Sequence, residues 1–160
     1  MTETGFTTCL WFDGQAEEAA DYYTSIFKNS ERGKVGHVTE AGPGEPGSVL
    51  VVEFTANGQK FVALNGGPEF TFNESISFQV RCKDQEEIDY YWTRLTEGGG
   101  EEVQCGWLKD RYGVSWQVFP SVLLDWVSDP DPEKAARATR AMLSMKKFDV
   151  EALRKAYEGG

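Results

Sequence analysis

Apolar positions along this chain keep two rhythms, and the switches between them divide it into elements. Alternating or β-branched runs mark strands at 7–12 (TTCLWF), 48–56 (SVLVVEFTA), 60–65 (KFVALN), 75–82 (SISFQVRC) and 115–119 (SWQVF). A spacing of three to four marks helices at 15–27 and 84–97, the first with Ala16, Ala19, Ala20, Tyr23 and Phe27 on one face. Residues 33–38 (GKVGHV), 101–105 (EEVQC) and 106–110 (GWLKD) read as shorter strands. Asn57-Gly58 between two strands predicts a tight hairpin, and the glycines and prolines of 40–47 predict a loop. Tyr112-Gly113 falls in a second hairpin turn, with Lys109, Asp110 and Arg111 at a solvated tip. Asp84 is placed to cap the second long helix, with Glu87 three residues on. The order is strand, helix, three strands, twice over.

The copies also share residues. Asp-Tyr-Tyr occurs at 21–23 and again at 89–91, 68 positions apart, each time after an acidic pair. At that offset Leu10 matches Phe78 and Phe12 matches Val80, while Cys9 matches Ser77 and Trp11 matches Gln79. Strand side chains alternate between faces, so the apolar set belongs under the helices and the other set on the opposite face. That face is expected to line a half-open cavity formed by two curved sheets.

Beyond residue 120 the composition changes. Asp131 as a cap with Pro132 at the first helical position starts one helix, and Asp149 can cap another reaching about Tyr157. Ala135, Ala138, Met142, Leu143 and Met145 give the first of these an apolar side.

Composition excludes several classes. With 40% hydrophobic residues and no apolar run near the roughly 20 a membrane helix needs, the chain reads as globular, without membrane insertion. A net charge of −10 opposes a phosphate-binding surface, so nucleic acid is not an expected partner. Three widely spaced cysteines and an N-terminus without a signal-peptide pattern suit a reducing, cytoplasmic setting.

The segments LWFDGQAEEAADYY, VALNGGPEFTFNESISFQV, QEEIDYYW and CGWLKDRYGVSWQVFP resemble the PhnB-like branch of the vicinal oxygen chelate superfamily of glyoxalases, extradiol dioxygenases and bleomycin-resistance proteins. That branch carries the label 3-demethylubiquinone-9 3-methyltransferase. The resemblance implies an α+β fold of two βαβββ modules, about 6–66 and 74–120, whose curved mixed sheets form a barrel-like cavity. The domain then spans 1–128 and the C-terminal helices form an extension over 129–160. It also implies four metal-ligand positions, falling near Thr7 or Thr8, Val62 or Ala63, Ser75 or Ile76, and Gln117. Only Gln117 among these could hold an ion, so no metal is expected. The glycine cluster 98–100 leaves a helix and enters a strand, which is not the strand-to-helix loop of the common S-adenosylmethionine fold, and no cofactor is expected.

His37 and Cys105 are also 68 apart and are candidates for a base and nucleophile pair, although no third orienting group can be named. A packed thiol and a partly exposed imidazole account for the same two residues. Trp11, Trp107 and Trp116 are core residues by default, and Glu53 and Arg81 read as exposed strand ends. The alternation makes Cys9, Trp11, Ser77, Gln79, Trp107 and Gln117 the candidate ligand-binding set. Function is therefore expected to be small-molecule binding without a metal, as in the bleomycin-resistance relatives. The alternative is an enzyme acting on a small organic substrate in the cavity. A homodimer is expected from the superfamily's habit of pairing modules and from the apolar sides of the C-terminal helices.

Overall fold

A computed structural model describes residues 4–160. The elements follow the order β1 (Thr8–Phe12), α1 (Ala16–Ile26), β2 (Glu31–His37), β3 (Val49–Ala56), β4 (Gln59–Asn65), β5 (Ser77–Cys82), α2 (Gln85–Thr96), β6 (Glu101–Glu102), β7 (Trp107–Lys109), β8 (Ser115–Pro120), α3 (Val122–Val127), α4 (Pro132–Ser144) and α5 (Val150–Glu158). The chain divides into two compact units, Met1–Thr71 and Phe72–Gly160. Each holds one open four-stranded mixed sheet, ordered β1-β4-β3-β2 in the first and β5-β8-β7-β6 in the second. This is the α+β arrangement of two βαβββ modules.

In the first unit β1 runs parallel to β4 with Leu10 beside Ala63, and β3 runs antiparallel to β4 with Val52 beside Ala63. The row Leu10–Ala63–Val52 is buried, as are Phe54 and Phe61 in the next row. Tyr23 of α1 stacks on Phe54, and Phe54 on Phe61, at 5.9 and 5.2 Å between centroids. The five residues expected on the inner face of the first helix are all buried. Gln15 makes no side-chain cap at the start of α1; instead Asn65 of β4 accepts a hydrogen bond from the Ala16 N–H at 2.8 Å. Asn57 and Gly58 both take positive φ, 52° and 76°, as a two-residue hairpin of this type requires.

The second unit repeats the plan with shorter strands. β5 runs parallel to β8 with Phe78 beside Trp116, and β7 runs antiparallel to β8 with Leu108 beside Trp116. Trp116, Leu108 and Val118 are buried on the face that carries α2, with Ile88, Trp92 and Leu95 of the helix. Asp84 caps α2 by accepting from the Glu87 N–H at 3.0 Å, and Glu87 accepts in return from the Lys83 N–H at 3.2 Å. Two expectations are corrected. The strand expected over 101–105 stops at Glu102, and the apolar run Val122–Val127, not assigned to any element from the sequence, forms α3.

The helices α3, α4 and α5 belong to the second unit. Asp131 and Asp149 cap α4 and α5 as expected, accepting from the N–H groups of Glu133 and Ala152. The link between them is pinned by polar groups. Gln85 donates to Phe148 O at 2.9 Å and accepts from Val150 N at 2.8 Å, while Cys105 N and Gly106 N donate to Met145 O and Lys146 O. Phe148 packs into the space left by Gly106, where a Cβ would meet its ring. Leu143, expected on the apolar side of α4, is exposed.

The reading of Lys109–Arg111 as a solvated tip is overturned at its centre. Asp110 is 3% exposed. One carboxylate oxygen accepts from Tyr112 N at 2.9 Å and Val114 N at 3.1 Å, and the other from Trp116 Nε1 at 2.9 Å. The carboxylate closes the β7–β8 turn and fixes the indole beneath α2 at once. Asp110→Ala is expected to cost about 3 kcal/mol, because three donors lose their acceptor in a buried place. Asp125→Ala, on the exposed side of α3, should stay within about 0.5 kcal/mol. Urea unfolding of the two variants checks this; equal midpoints would show that the Asp110 bonds carry no stability.

Candidate functional site

Pleat alternation decides what each sheet offers on the side away from its helix. With Leu10 and Phe12 buried beneath α1, Cys9 and Trp11 point to the opposite face, in register with Val62 and Leu64 of β4. Cys9 is exposed as a residue, yet partial burial of its thiol pushes the pKa up, which works against a nucleophilic thiolate. Trp11 is half-buried and held at both ends of its ring. Its Nε1 donates to Gly67 O at 2.8 Å, Phe70 meets it edge-on at 4.9 Å, and its rings lie where a side chain on Gly66 would be. The indole thus keeps a π surface and no free donor. On the same side of this sheet a cavity of about 250 Å³ opens beside Glu53, Lys60 and Val62, so Glu53 lines a hollow from mid-strand rather than standing at a strand end.

In the second unit the same rule turns Ser77, Gln79 and Arg81 of β5 away from α2, together with Ser115 and Gln117 of β8 and Trp107 and Lys109 of β7. Gln79, Gln117 and Trp107 form one lateral row across three strands. Gln117 Nε2 donates to Ser77 Oγ at 2.8 Å, and Gln79 Nε2 donates to Gln117 Oε1 at 3.4 Å. The first bond is short and fixes which way the Gln117 amide points; the second is loose enough to be exchanged for a ligand. Ser115 is 1% exposed with no partner for its Oγ among the described residues. Trp107 is half-buried, whereas Trp116 is the core tryptophan.

Four of the six candidate residues, Ser77, Gln79, Trp107 and Gln117, thus stand together on one face of the second sheet. Cys9 and Trp11 stand together on the corresponding face of the first. The candidates His37 and Cys105 are placed differently from each other. His37 is exposed at the end of β2, opposite Val49, while Cys105 sits in the β6–β7 turn at φ 59° with its N–H bonded to Met145 O. Cys82 lies under α2, where burial, with the carboxylates of Glu87 and Asp84 adding to it, pushes its thiol up to about 12. That is a packed thiol, not a reactive one. Arg81 is exposed near the end of β5, as expected, but its place on this face, like that of Ser115, was not drawn from the sequence. The signal for both was parity: they lie two positions from Gln79 and Gln117 on the same strands.

The donor set does not fit a metal centre. Ala63 is fully buried on the helix side, and the expected ligand positions carry hydroxyl, amide and apolar groups, with no imidazole or carboxylate among them. Among the described residues no three His, Cys, Asp or Glu side chains gather closely enough to hold an ion.

The model of the family described as 3-demethylubiquinone-9 3-methyltransferase matches residues 4–119, which takes in both βαβββ modules. The chain belongs to that family. The PhnB protein from Bacillus cereus is 38% identical, with 73% of this chain covering 99% of that one at a TM-score of 0.65. Protein PA1353 from Pseudomonas aeruginosa is 17% identical, over 74% of this chain and 98% of that one, at a TM-score of 0.55. The fosfomycin resistance protein FosX from Listeria monocytogenes, in its complex with Mn(II) and sulfate, is 18% identical, over 74% of this chain and 92% of that one, at a TM-score of 0.50. These two show the fold alone, that of two βαβββ modules. No curated protein matches the chain. The family match ends before α3, so the three C-terminal helices stand outside it. No helix among the described residues is long and apolar enough to cross a membrane.

The seat of Trp11 depends on Gly66 having no side chain. Gly66→Ala is expected to drive the indole off its seat and break the bond to Gly67 O. The readouts are a red-shifted tryptophan emission and a changed near-ultraviolet circular dichroism, with far-ultraviolet signal kept. Unaltered spectra would show that the ring is not seated on Gly66.

Proposed function

We propose that this protein binds a small organic molecule on the helix-free sheet faces, without a metal ion and without methyl transfer. The observation that carries this reading is the row Gln79–Gln117–Trp107, with Ser77 orienting its central amide. Such a row supplies a flat aromatic surface and directed amide groups side by side, which is what a site for a planar polar ligand requires.

The family's name points to S-adenosylmethionine, and the chain's own backbone does not supply the usual cradle. Gly98 to Gly100 follow the last turn of α2, Gly98 at φ 73°, and the Gly100 N–H is spent on Thr96 O. The cluster ends a helix; it does not present N–H groups to a phosphate or carboxylate. The two mixed sheets also lack the doubly wound parallel order in which such loops occur.

Two copies of the chain are part of the same reading. Val122 and Leu124 of α3 and Leu143 of α4 are exposed apolar residues on helices that the family match does not include. Light scattering is expected to give about twice the 17.9 kDa chain mass at micromolar concentration, and a monomer mass sinks this part of the proposal.

Binding itself is tested by screening planar polar metabolites with native mass spectrometry and ranking hits on the Trp107→Ala and Gln117→Ala variants. Each substitution is expected to weaken a true ligand by about fivefold or more, since stacking and a buried hydrogen bond each contribute about 1 kcal/mol or somewhat above. Hits that bind both variants as well as they bind the native chain would refute this face as the site.

A further inference from the structure

Resting on the reading of the second sheet's open face as a ligand site, we propose that Arg81 is its specificity-determining residue. It selects a planar ligand that carries one anionic group of the carboxylate class. One cation on that face is already neutralised. Lys109 is ion-paired with Glu74, and Glu101, its neighbour across β6–β7, adds to the local negative charge. Arg81 is exposed on the same face and, among the described residues, has neither an ion pair nor a hydrogen-bond partner. It is therefore the one cation of this face still open to an incoming anion.

Its position relative to the row gives the ligand a shape. Arg81 follows Gln79 by two residues on β5, roughly 6.6 Å along the strand, and Trp107 lies two strands over, roughly 9.6 Å away from Gln79. An arginine side chain spans much of that diagonal. A ring lying on Trp107 and over Gln117 can then direct a side arm to the guanidinium, which meets a carboxylate with two parallel N–H donors. The groups nearest the ring are neutral. Gln79 keeps its carbonyl and one N–H for the ligand, and Trp107 keeps its indole N–H. A dianion would meet only one free cation on this face, and a cation would meet Arg81 itself. The complementary occupant is a molecule of one ring and one negative charge.

The test uses a matched pair of probes, 2-naphthoate and 2-naphthamide, titrated against the full chain and followed by tryptophan emission. The native chain is expected to bind the carboxylate about tenfold more tightly than the amide. Arg81→Gln should remove that preference while leaving the amide's affinity within about twofold, and Arg81→Lys should restore part of it. The preference should also shrink as salt is raised. If the native chain binds both probes, Trp107→Ala weakens both, and Arg81→Gln changes neither, the role of Arg81 is overturned while the site stands. If neither probe binds below millimolar concentration, or Trp107→Ala leaves both unchanged, the site reading itself fails and Arg81 with it.

Discussion

The structure hangs on one constraint: each sheet has a single helix to hide under, and side chains along a strand cannot choose their face independently. Placing the row Leu10–Ala63–Val52 beneath α1 and the row Phe78–Trp116–Leu108 beneath α2, Phe78 half-buried and the others buried, satisfies the apolar side of each sheet. At about 25 cal/mol for each Å² removed from water, those rows outweigh any preference of their neighbours. Cys9, Trp11, Ser77, Gln79 and Gln117 are outward because their neighbours are inward. A one-residue slip of β5 against β8 would turn Ser77, Gln79 and Arg81 under α2 and bring Phe78 and Val80 out, so the register is held by the helix side even though chemistry is expected on the other.

Polar groups then fix what apolar burial leaves loose. A tryptophan can fill the space under α2 in more than one orientation, and the Asp110 carboxylate selects one by taking the Trp116 N–H while also holding two turn amides. Trp92 is treated alike, donating to Glu102 at 2.6 Å, and that bond ties α2 to the short edge strand β6. Trp11 donates to a backbone carbonyl instead and rests on a glycine. For Trp92 and Trp116 the apolar body and the polar tip of the indole are satisfied by different elements, which is how one side chain specifies a relation between them.

Much of the fold was legible because it rests on local periodicity. The five residues of one face of α1 and the caps Asp84, Asp131 and Asp149 are matters of spacing and of residue type at a helix end. What could not be read depends on lengths that spacing does not conserve. The offset of 68 aligns β1 with β5 and α1 with α2, but the β2–β3 connection runs over 38–48 and the β6–β7 connection over 103–106. His37 closes the seven-residue β2, whereas β6 stops after two residues, so the same count matched His37, at a strand end, with Cys105, in the turn that follows. Asp110 was misread for a related reason. An acidic residue between Lys109 and Arg111 looks solvated unless one knows that a tryptophan six positions on returns to it, and that is a tertiary fact. α3 was missed because Pro120 and six residues that are apolar but for Asp125 carry no period of their own.

The C-terminal helices show how an added segment can stabilise a module without altering its open face. Their attachment uses the Gln85 amide at the first turn of α2, the backbone of the β6–β7 turn, the Lys147–Asp89 ion pair and the hollow over Gly106. All of these lie on α2 or on the turn beside it. None is drawn from Ser77, Gln79, Gln117 or Trp107, whose side-chain bonds run only among themselves. The Phe148 ring gains burial because Gly106 lacks a Cβ and sits at φ 76°, a conformation that glycine adopts without strain. The extension thus draws its binding energy from the helix side of the sheet, where apolar area was available to be buried. It leaves the amide row as polar and as unsaturated as it would be without those helices, and a row in that state is one that a ligand can still complete.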